Sequence, residues 1–420
     1  MELIEKVVER DNLIQALKRV RENKGAPGVD GMTVDELAPY LKTHWPRIKQ
    51  ELLTNRYRPK PVRAVEIPKP QGGFRLLGIP CVVDRFLQQA ILQVLSPLFE
   101  PLFSQFSFGY RPGKSAHMAV QAGFAYAKQG DDWVVDLDVE KFFDRVNHDI
   151  LMSRIYRKGK DKRLLKVIRV FLKTGIMMGG VLQPREEGTP QGSPLSPLLS
   201  NIYLDDLDKE LEKRGLKFCR YADDCNVYVK SKAYGGTVMA SLNRFLWKRL
   251  KLKLNEKKSD VTRPWKKSFL GHTMTQTKSR LVVSPQSVKR AKDRLRRVFQ
   301  KGRGQHLGTV IKEVNQFSRG WVAYFKLANQ WSVYEELDGW TRRRFRWLLW
   351  RQWKRKRIRI RKLMALGLDQ QMALKWGLKN RGPWWHSKQS HLNSTITAAW
   401  LHNQGLLSFL GLHRRLAVSS

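Results

Sequence analysis

The sequence predicts an α+β protein whose last third is helical and strongly basic. Three observations predict it. Strand-like runs at 57–80, 133–144 and 218–229 alternate with helical patterns, the order expected of helices and hairpins around an antiparallel sheet, to about residue 275. From about Ser287 only helical periodicity remains. Finally, 42% hydrophobic residues, with 14 Trp and 18 Phe among 420, supply the cores of two or three domains.

Residues 1–55 read as helices broken by NKGAPGVDGMT (23–33), whose three glycines and one proline make a loop. YRPKPVRAVEIPKPQGGFRLLGIP (57–80) reads as a hairpin with Gln71, Gly72 and Gly73 at its turn. Phe86, Ile91 and Leu95 recur at helical spacing from about Asp84 to Leu98. WVVDLDVEKFFD (133–144) reads as a strand ending near Asp138 or Val139, and a helix begins at HDILMSRIYRK. PQGSPLSPLLSNIYLDDLDKELEKRG (190–215) is a loop entering a long helix that Gly215 stops. Phe218 to Ala222 and Cys225 to Val229 flank the turn of the next hairpin. Helices follow in SVKRAKDRLRRVF, VIKEVNQFSRGWVAYF and LDGWTRRRFRWLLWRQWKRKRIRIRKLMALG, then short helices and loops over 375–420.

Lys and Arg outnumber Asp and Glu by 79 to 37, a net charge of +42. Such an excess points to a polyanionic partner, most simply nucleic acid. The three cysteines, Cys81, Cys219 and Cys225, form neither a disulfide framework nor a zinc pair and fit a reducing compartment. The N-terminus is not a secretory leader, and no apolar run approaches the roughly 20 residues that span a bilayer, so the expectation is a soluble, intracellular (cytoplasmic) protein with no membrane partner.

Against that positive charge stand two acidic pairs. Asp223 and Asp224 are adjacent, and neighbours cluster only at a tight turn. Asp136 and Asp138 are two apart and share a strand face. One carboxylate from each element would make an oxygen-rich site for two Mg²⁺ ions roughly 4 Å apart. Standing alone, an Asp-Asp turn reads as a solvated β-turn.

YADD (221–224), with VVDLDVEKFFD upstream and GTPQGSPLSPLLSNIYL between, resembles the palm of reverse transcriptases, specifically of the group II intron reverse transcriptase/maturase family. NKGAPGVDG resembles that family's N-terminal extension. EIPKPQGGFRLLGIP and FSFGYRPGKSAHMA resemble its fingers blocks, LNEKKS and FLGH its last palm blocks, and VNQFSRGWVAYF its thumb. The resemblance implies a right-hand polymerase followed by an all-α thumb. The implied division is an N-terminal extension (1–55), fingers and palm (56–275), a helical thumb/maturase domain (276–365) and a small basic DNA-binding region (366–420). No Cys/His cluster of the HNH kind follows the tail, so the compact, class C-like type lacking an endonuclease domain is expected.

Position by position, the resemblance implies Asp138, Asp223 and Asp224 as catalytic carboxylates and metal ligands, with the Val139 carbonyl as a further ligand. Asp138 is favoured over Asp136 because it stands five residues before Phe143, the family's spacing from metal ligand to sugar-selecting aromatic. A ring beneath C2′ excludes a hydroxyl and selects dNTPs; otherwise Phe143 reads as a core aromatic. Lys69 and Arg75 flank the hairpin turn and could meet one triphosphate as a point charge and a bidentate fork. Gln191 and Gly192 would floor the nucleotide site, with Ser193 where relatives often carry glycine. Lys258 is a phosphate contact, and Arg111 braces template or active site. Mg²⁺ is the implied cofactor, with Mn²⁺ as a substitute.

Residues 342–362 carry 12 Lys or Arg and no acid. Trp347, Trp350 and Trp353 within this run read as core packing. Arg342, Arg343, Arg344, Arg346, Arg351, Lys354 and Arg355 exceed what a core-facing helix needs and read as contacts tracking RNA phosphates. The implied activity is RNA-directed DNA polymerisation, joined to binding of group II intron RNA for splicing and mobility. The implied partners are that RNA, an RNA template with a DNA primer, dNTPs and target DNA, with no oligomeric state specified. Two alternatives share parts of the pattern: an intron-free relative acting in DNA repair or phage defence, and a non-catalytic RNA-binding splicing factor, which would have lost acids that all stand here.

Overall fold

The computed structural model describes residues 2–68, 73–178, 180–184, 186–190 and 192–418, the side chains of Arg75, Ala417 and Val418 excepted. Two of the expected site residues, Lys69 and Gln191, lie outside the described residues, as does the side chain of Arg75. The chain separates into two compact units, Met1–Pro264 and Trp265–Ser420.

The first unit holds two four-stranded sheets. Strands β1 (Val62–Pro68) and β2 (Phe74–Ile79) form the antiparallel hairpin. With β3 (Trp133–Leu137) given to the other sheet, β4 (Ile176–Met178) and β5 (Val181–Gln183) complete the first in the order β2-β1-β4-β5, β4 running parallel to β1. Strands β6 (Lys217–Tyr221), β7 (Asp224–Val229) and β8 (Asp260–Thr262) join β3 in an antiparallel sheet of order β6-β7-β3-β8. Val135, Leu137, Phe218 and Val227 of this sheet are buried in one core with Leu199, Leu207 and Leu211 of the helix Ser196–Lys213. That burial fixes the register, because a one-residue slip would turn these side chains to the opposite face.

Local chemistry sets the helix ends. Asn147 and Ser231 accept from the backbone N–H groups of Ile150 and Tyr234 at the helix starts, and Asp161 accepts from Arg163 and Leu164. Gly215, at φ +66°, stops Ser196–Lys213 as the sequence predicts. The N-terminal helices share the core of the first unit, and their NKGAPGVDG loop lies on the helix Val82–Phe99. Arg85 Nη2 donates to the Ala26 carbonyl at 2.8 Å, and a Cβ on Gly28 would come within 2.7 Å of Cys81 Cα.

The second unit opens with the hairpin of β9 (His272–Met274) and β10 (Leu281–Val283) and is otherwise helical. Its core gathers Leu295, Phe299, Val310, Phe345 and Trp350 from Pro285–Lys301, Leu307–Tyr324 and Trp331–Gln352. The basic helix predicted over 342–362 is not continuous. It ends at Gln352 and restarts at Lys356. Trp353 is buried, and Arg359 Nε donates to its carbonyl at 2.8 Å. All three tryptophans of the run are buried, as expected of core residues. Among the described residues no helix is long and apolar enough to cross a membrane.

Candidate active site

The acids meet where β3, β6 and β7 end. Leu137 pairs with Cys225 and Asp136 with Asn226, so continuing the antiparallel register sets Asp138 opposite Asp224. Tyr221 pairs with Asp224, which leaves Ala222 and Asp223 as a two-residue turn. Ala222 takes φ +59°, a left-handed conformation that suits glycine better than alanine. The Asp-Asp pair therefore straddles a tight turn, the one arrangement in which neighbours cluster.

Asp138 sits at the start of a loop that the LNEKKS segment holds. Its N–H donates to Ser259 Oγ at 3.1 Å, and its carbonyl accepts from Asn255 N at 2.8 Å and from Ser259 Oγ at 3.3 Å. Val139 bridges to Leu254, and Lys258 Nζ stands 3.5 Å from Asp138 Oδ2. The lysine thus lies against a carboxylate.

Electrostatically the clustered acids act on one another. Burial of its surroundings comes first, then the charges of Asp223, Asp136 and Asp138, and together they push the Asp224 pKa up to about 7, against the opposing pull of Lys258. The surface of Asp224 itself is open to solvent, so the like charges are the part of this that a cation can relieve. Among the described residues no three His, Cys, Asp or Glu side chains are already drawn into a metal cage. What fits a hard divalent cation is the donor chemistry: carboxylates from two strand ends, mutually repelling and reachable from water.

Phe143 follows in the short turn of 3₁₀ helix Phe142–Asp144. Phe142 is the buried core aromatic, while Phe143 is half-exposed and packs edge-on to it at 5.2 Å. Two backbone bonds tie this turn to the PQG loop, Thr189 N to Phe143 O at 2.7 Å and Gly188 N to Val146 O at 2.8 Å. Gly192, at φ +114°, lies so close to β2 that a Cβ would come within 2.6 Å of Gly78 O. Ser193 is accommodated: it is buried and donates to Gln88 Oε1.

Two comparisons with known proteins give this sequence its lineage. Residues 67–274 match the model described as reverse transcriptase (RNA-dependent DNA polymerase), and residues 288–367 match the group II intron, maturase-specific domain. Protein YkfC of Escherichia coli is 32% identical over 321 residues, 66% of this chain and 84% of that one. The chain belongs to the group II intron reverse transcriptase/maturase family. It is an RNA-directed DNA polymerase by class, an α+β right-hand polymerase followed by a helical maturase region. The family's Group II intron-encoded protein LtrA of Lactococcus lactis is 35% identical over 206 residues, 49% of this chain but 34% of LtrA. In a solved structure, a partial Cas6-RT-Cas1–Cas2 complex, a chain 27% identical over 62% of this one and 44% of its own length gives a TM-score of 0.39.

The remaining expected residues divide by environment. Arg111 is largely buried: Nε donates to Glu100 Oε1 at 2.8 Å, and Nη1 donates to the Ser104 and Ser107 carbonyls. These bonds tie its guanidinium to the Glu100 and Ser104–Ser107 segment. In the second unit, Arg343 lies 3.6 Å over the Trp384 ring and donates to Ser387 Oγ at 3.2 Å. Arg344 lies between Trp384 and Trp340, at 4.5 and 4.9 Å. Arg346 donates to the Ile396 carbonyl at 3.1 Å, and Arg342 lines a recess with Asp338 and His402. Arg351, Lys354 and Arg355 are exposed. Sequence reasoning missed Asn255 and Ser259, which hold the Asp138 backbone, and Arg220, an arginine within a buried strand. The signal for Arg220 was present, since a cation among Phe218, Cys219 and Cys225 requires a buried partner.

Proposed function

We propose that Asp138, Asp223 and Asp224 are the catalytic carboxylates of this polymerase and, with the Val139 carbonyl, hold two Mg²⁺ ions, for which Mn²⁺ can substitute. The observation that carries this is the register that sets Asp138 opposite Asp224 beside the Asp223 turn, with the Asp224 pKa raised first by burial and then by its like-charged neighbours. Bound divalent ions would supply Lewis-acid polarisation of the phosphoryl group and a lowered pKa for the primer 3′-hydroxyl. The chain's own residues orient the substrates. Phe143, half-exposed beside a buried aromatic, forms the surface beneath C2′ of the incoming sugar. Lys258 stands by Asp138 and neutralises triphosphate charge, with Lys69 and Arg75 gripping the phosphates and Gln191 flooring the site as family positions. Arg351, Lys354 and Arg355 contact RNA phosphates, whereas the half-buried arginines shape the surface that presents them.

In this reading residues 1–55 extend the fingers, 56–275 form fingers and palm, 276–365 form the thumb/maturase domain and 366–420 a basic DNA-binding region. The natural partner is a group II intron RNA, clamped so that the ribozyme splices, and the same complex copies the RNA from a DNA primer into target DNA in the bacterial cytoplasm. The test is splicing of the transcript that flanks this gene at low Mg²⁺, where the RNA alone is inactive. Ligated exons only in the presence of protein are expected. No splicing, with primer extension intact, would contradict the maturase role and favour an intron-free enzyme.

A further inference from the structure

One guanidinium in the palm is entirely enclosed. Arg220, on β6 immediately before YADD, is fully buried, as is Asp208 on the helix Ser196–Lys213. Nε and Nη2 donate to the two carboxylate oxygens at 2.6 and 2.5 Å. Nη1 donates to Asn201 Oδ1 at 3.1 Å and to the Ala222 carbonyl at 2.8 Å, and Nη2 also donates to Ser107 Oγ at 2.7 Å. All five N–H donors of the guanidinium are thereby satisfied.

These acceptors come from the helix Ser196–Lys213, the FSFG segment and the acidic turn itself. Asn201 also donates through Nδ2 to the Gly109 carbonyl at 2.9 Å. Gly109 lies so close to the turn that a Cβ there would collide with Ala222 N. The backbone of Arg220 pairs with the same FSFG segment, its N–H donating to Phe106 O at 3.0 Å and its carbonyl accepting from Phe108 N at 2.8 Å. Ala222 is the turn residue with φ +59°, and its carbonyl leads directly into Asp223. An ion pair with no access to water is an inefficient way to stabilise a fold, because desolvation offsets its attraction. Its specific product here is geometric: it pins the carbonyl of a residue in an unfavourable conformation.

We propose that Arg220, held by Asp208 and assisted by Asn201 and Ser107, is a positioning residue that fixes the Ala222 carbonyl and so aims Asp223 and Asp224. This rests on the assignment of those aspartates as the catalytic carboxylates. Arg220 touches neither substrate nor metal; it acts through the turn.

The experiment uses the full chain with an RNA template, a DNA primer and a Mg²⁺ titration. Replacing the pair by apolar residues of similar size, Arg220→Met with Asp208→Leu, removes both buried charges together and so preserves the fold better than a single change. The expected result is a melting temperature near that of the unsubstituted protein and a dNTP KM within about 2-fold, but kcat lower by roughly 100-fold, the scale of a catalytic group displaced by about 1 Å. The half-saturating Mg²⁺ concentration rises as well. Arg220→Lys, which keeps the charge but not the five-donor fork, serves if the pair variant does not fold, and the same loss of kcat and rise in Mg²⁺ requirement are expected. Unchanged kcat and Mg²⁺ dependence in a folded variant would overturn the inference. Asp223→Asn run in parallel separates the two claims: if it still extends primers, the carboxylate assignment fails; if it is inactive while the Arg220 variants behave normally, only the positioning role fails.

Discussion

Acidification should destabilise the second unit through a pair of histidines. His386 and His391 are fully buried, with His386 Nδ1 and His391 Nε2 3.1 Å apart. Trp350 stacks on His386 at 4.0 Å and Trp376 on His391 at 4.4 Å. For His386, burial first, then the Arg359 and Lys379 charges, push the pKa down to about 4, against a hydrogen bond to the Lys379 carbonyl. For His391, burial, the other imidazole and Lys379 push it down to about 4 as well. Both folded values lie below the ordinary value near 6.5, so the stability they contribute is present above pH 6.5 and is lost as pH falls toward 4. Between pH 7 and 5 the unfolded chain gains most of a proton at each site while the folded chain stays neutral. That costs about 2 kcal/mol per imidazole, or about 3–4 kcal/mol for both. The assay is denaturant unfolding of the full chain, followed by tryptophan fluorescence at both pH values. The double variant His386→Gln/His391→Gln should lose most of this pH dependence whatever its absolute stability. An unchanged slope in that variant, or no difference between pH 7 and 5 in the unsubstituted protein, would refute the reasoning.

Other consequences can be read in single experiments. Phe143→Ala should open the space beneath C2′ and raise NTP incorporation relative to dNTP; unchanged sugar discrimination would return Phe143 to a purely packing role. Replacing the exposed Arg351, Lys354 and Arg355 together by Ala should weaken RNA binding and lower the slope of log affinity against log salt by about 2, at roughly 0.7 for each phosphate no longer neutralised. By contrast, Arg346→Ala should chiefly lower the melting temperature, because Arg346 is half-buried and bonded to the Ile396 carbonyl. Equal salt slopes for these two variants would contradict the division between exposed and structural arginines.

How much of this was legible in the sequence varied with the range of the interactions involved. The alternation in VVDLDV, the apolar strands around YADD and the helix stop at Gly215 are local, and each could be read directly. The three-residue strands β4, β5, β8, β9 and β10 were not, because so short a strand is defined by its partner rather than its own pattern. The choice between Asp136 and Asp138 was open in the spacing alone. In the sheet Asp136 stands opposite Asn226 on one side and Asp260 on the other, and Asp138 follows it on the same face toward Asp224. Charge counting along 342–362 detected a basic surface but could not sort its members. Arg343 stacks on Trp384 and Arg346 reaches the Ile396 carbonyl, partners about 40 to 50 positions away in the chain. The break at Trp353 is likewise set by burial of its ring and by Arg359, which outweigh the continuous helical pattern.

The most direct measurement is primer extension on an RNA template with Mg²⁺ and dNTPs, comparing the unsubstituted chain with Asp223→Asn while RNA affinity is measured on the same preparations. Extension abolished in the variant, with RNA affinity within a few-fold, is the predicted result. Extension that persists in the variant would contradict the assignment of the acidic turn as the polymerase centre.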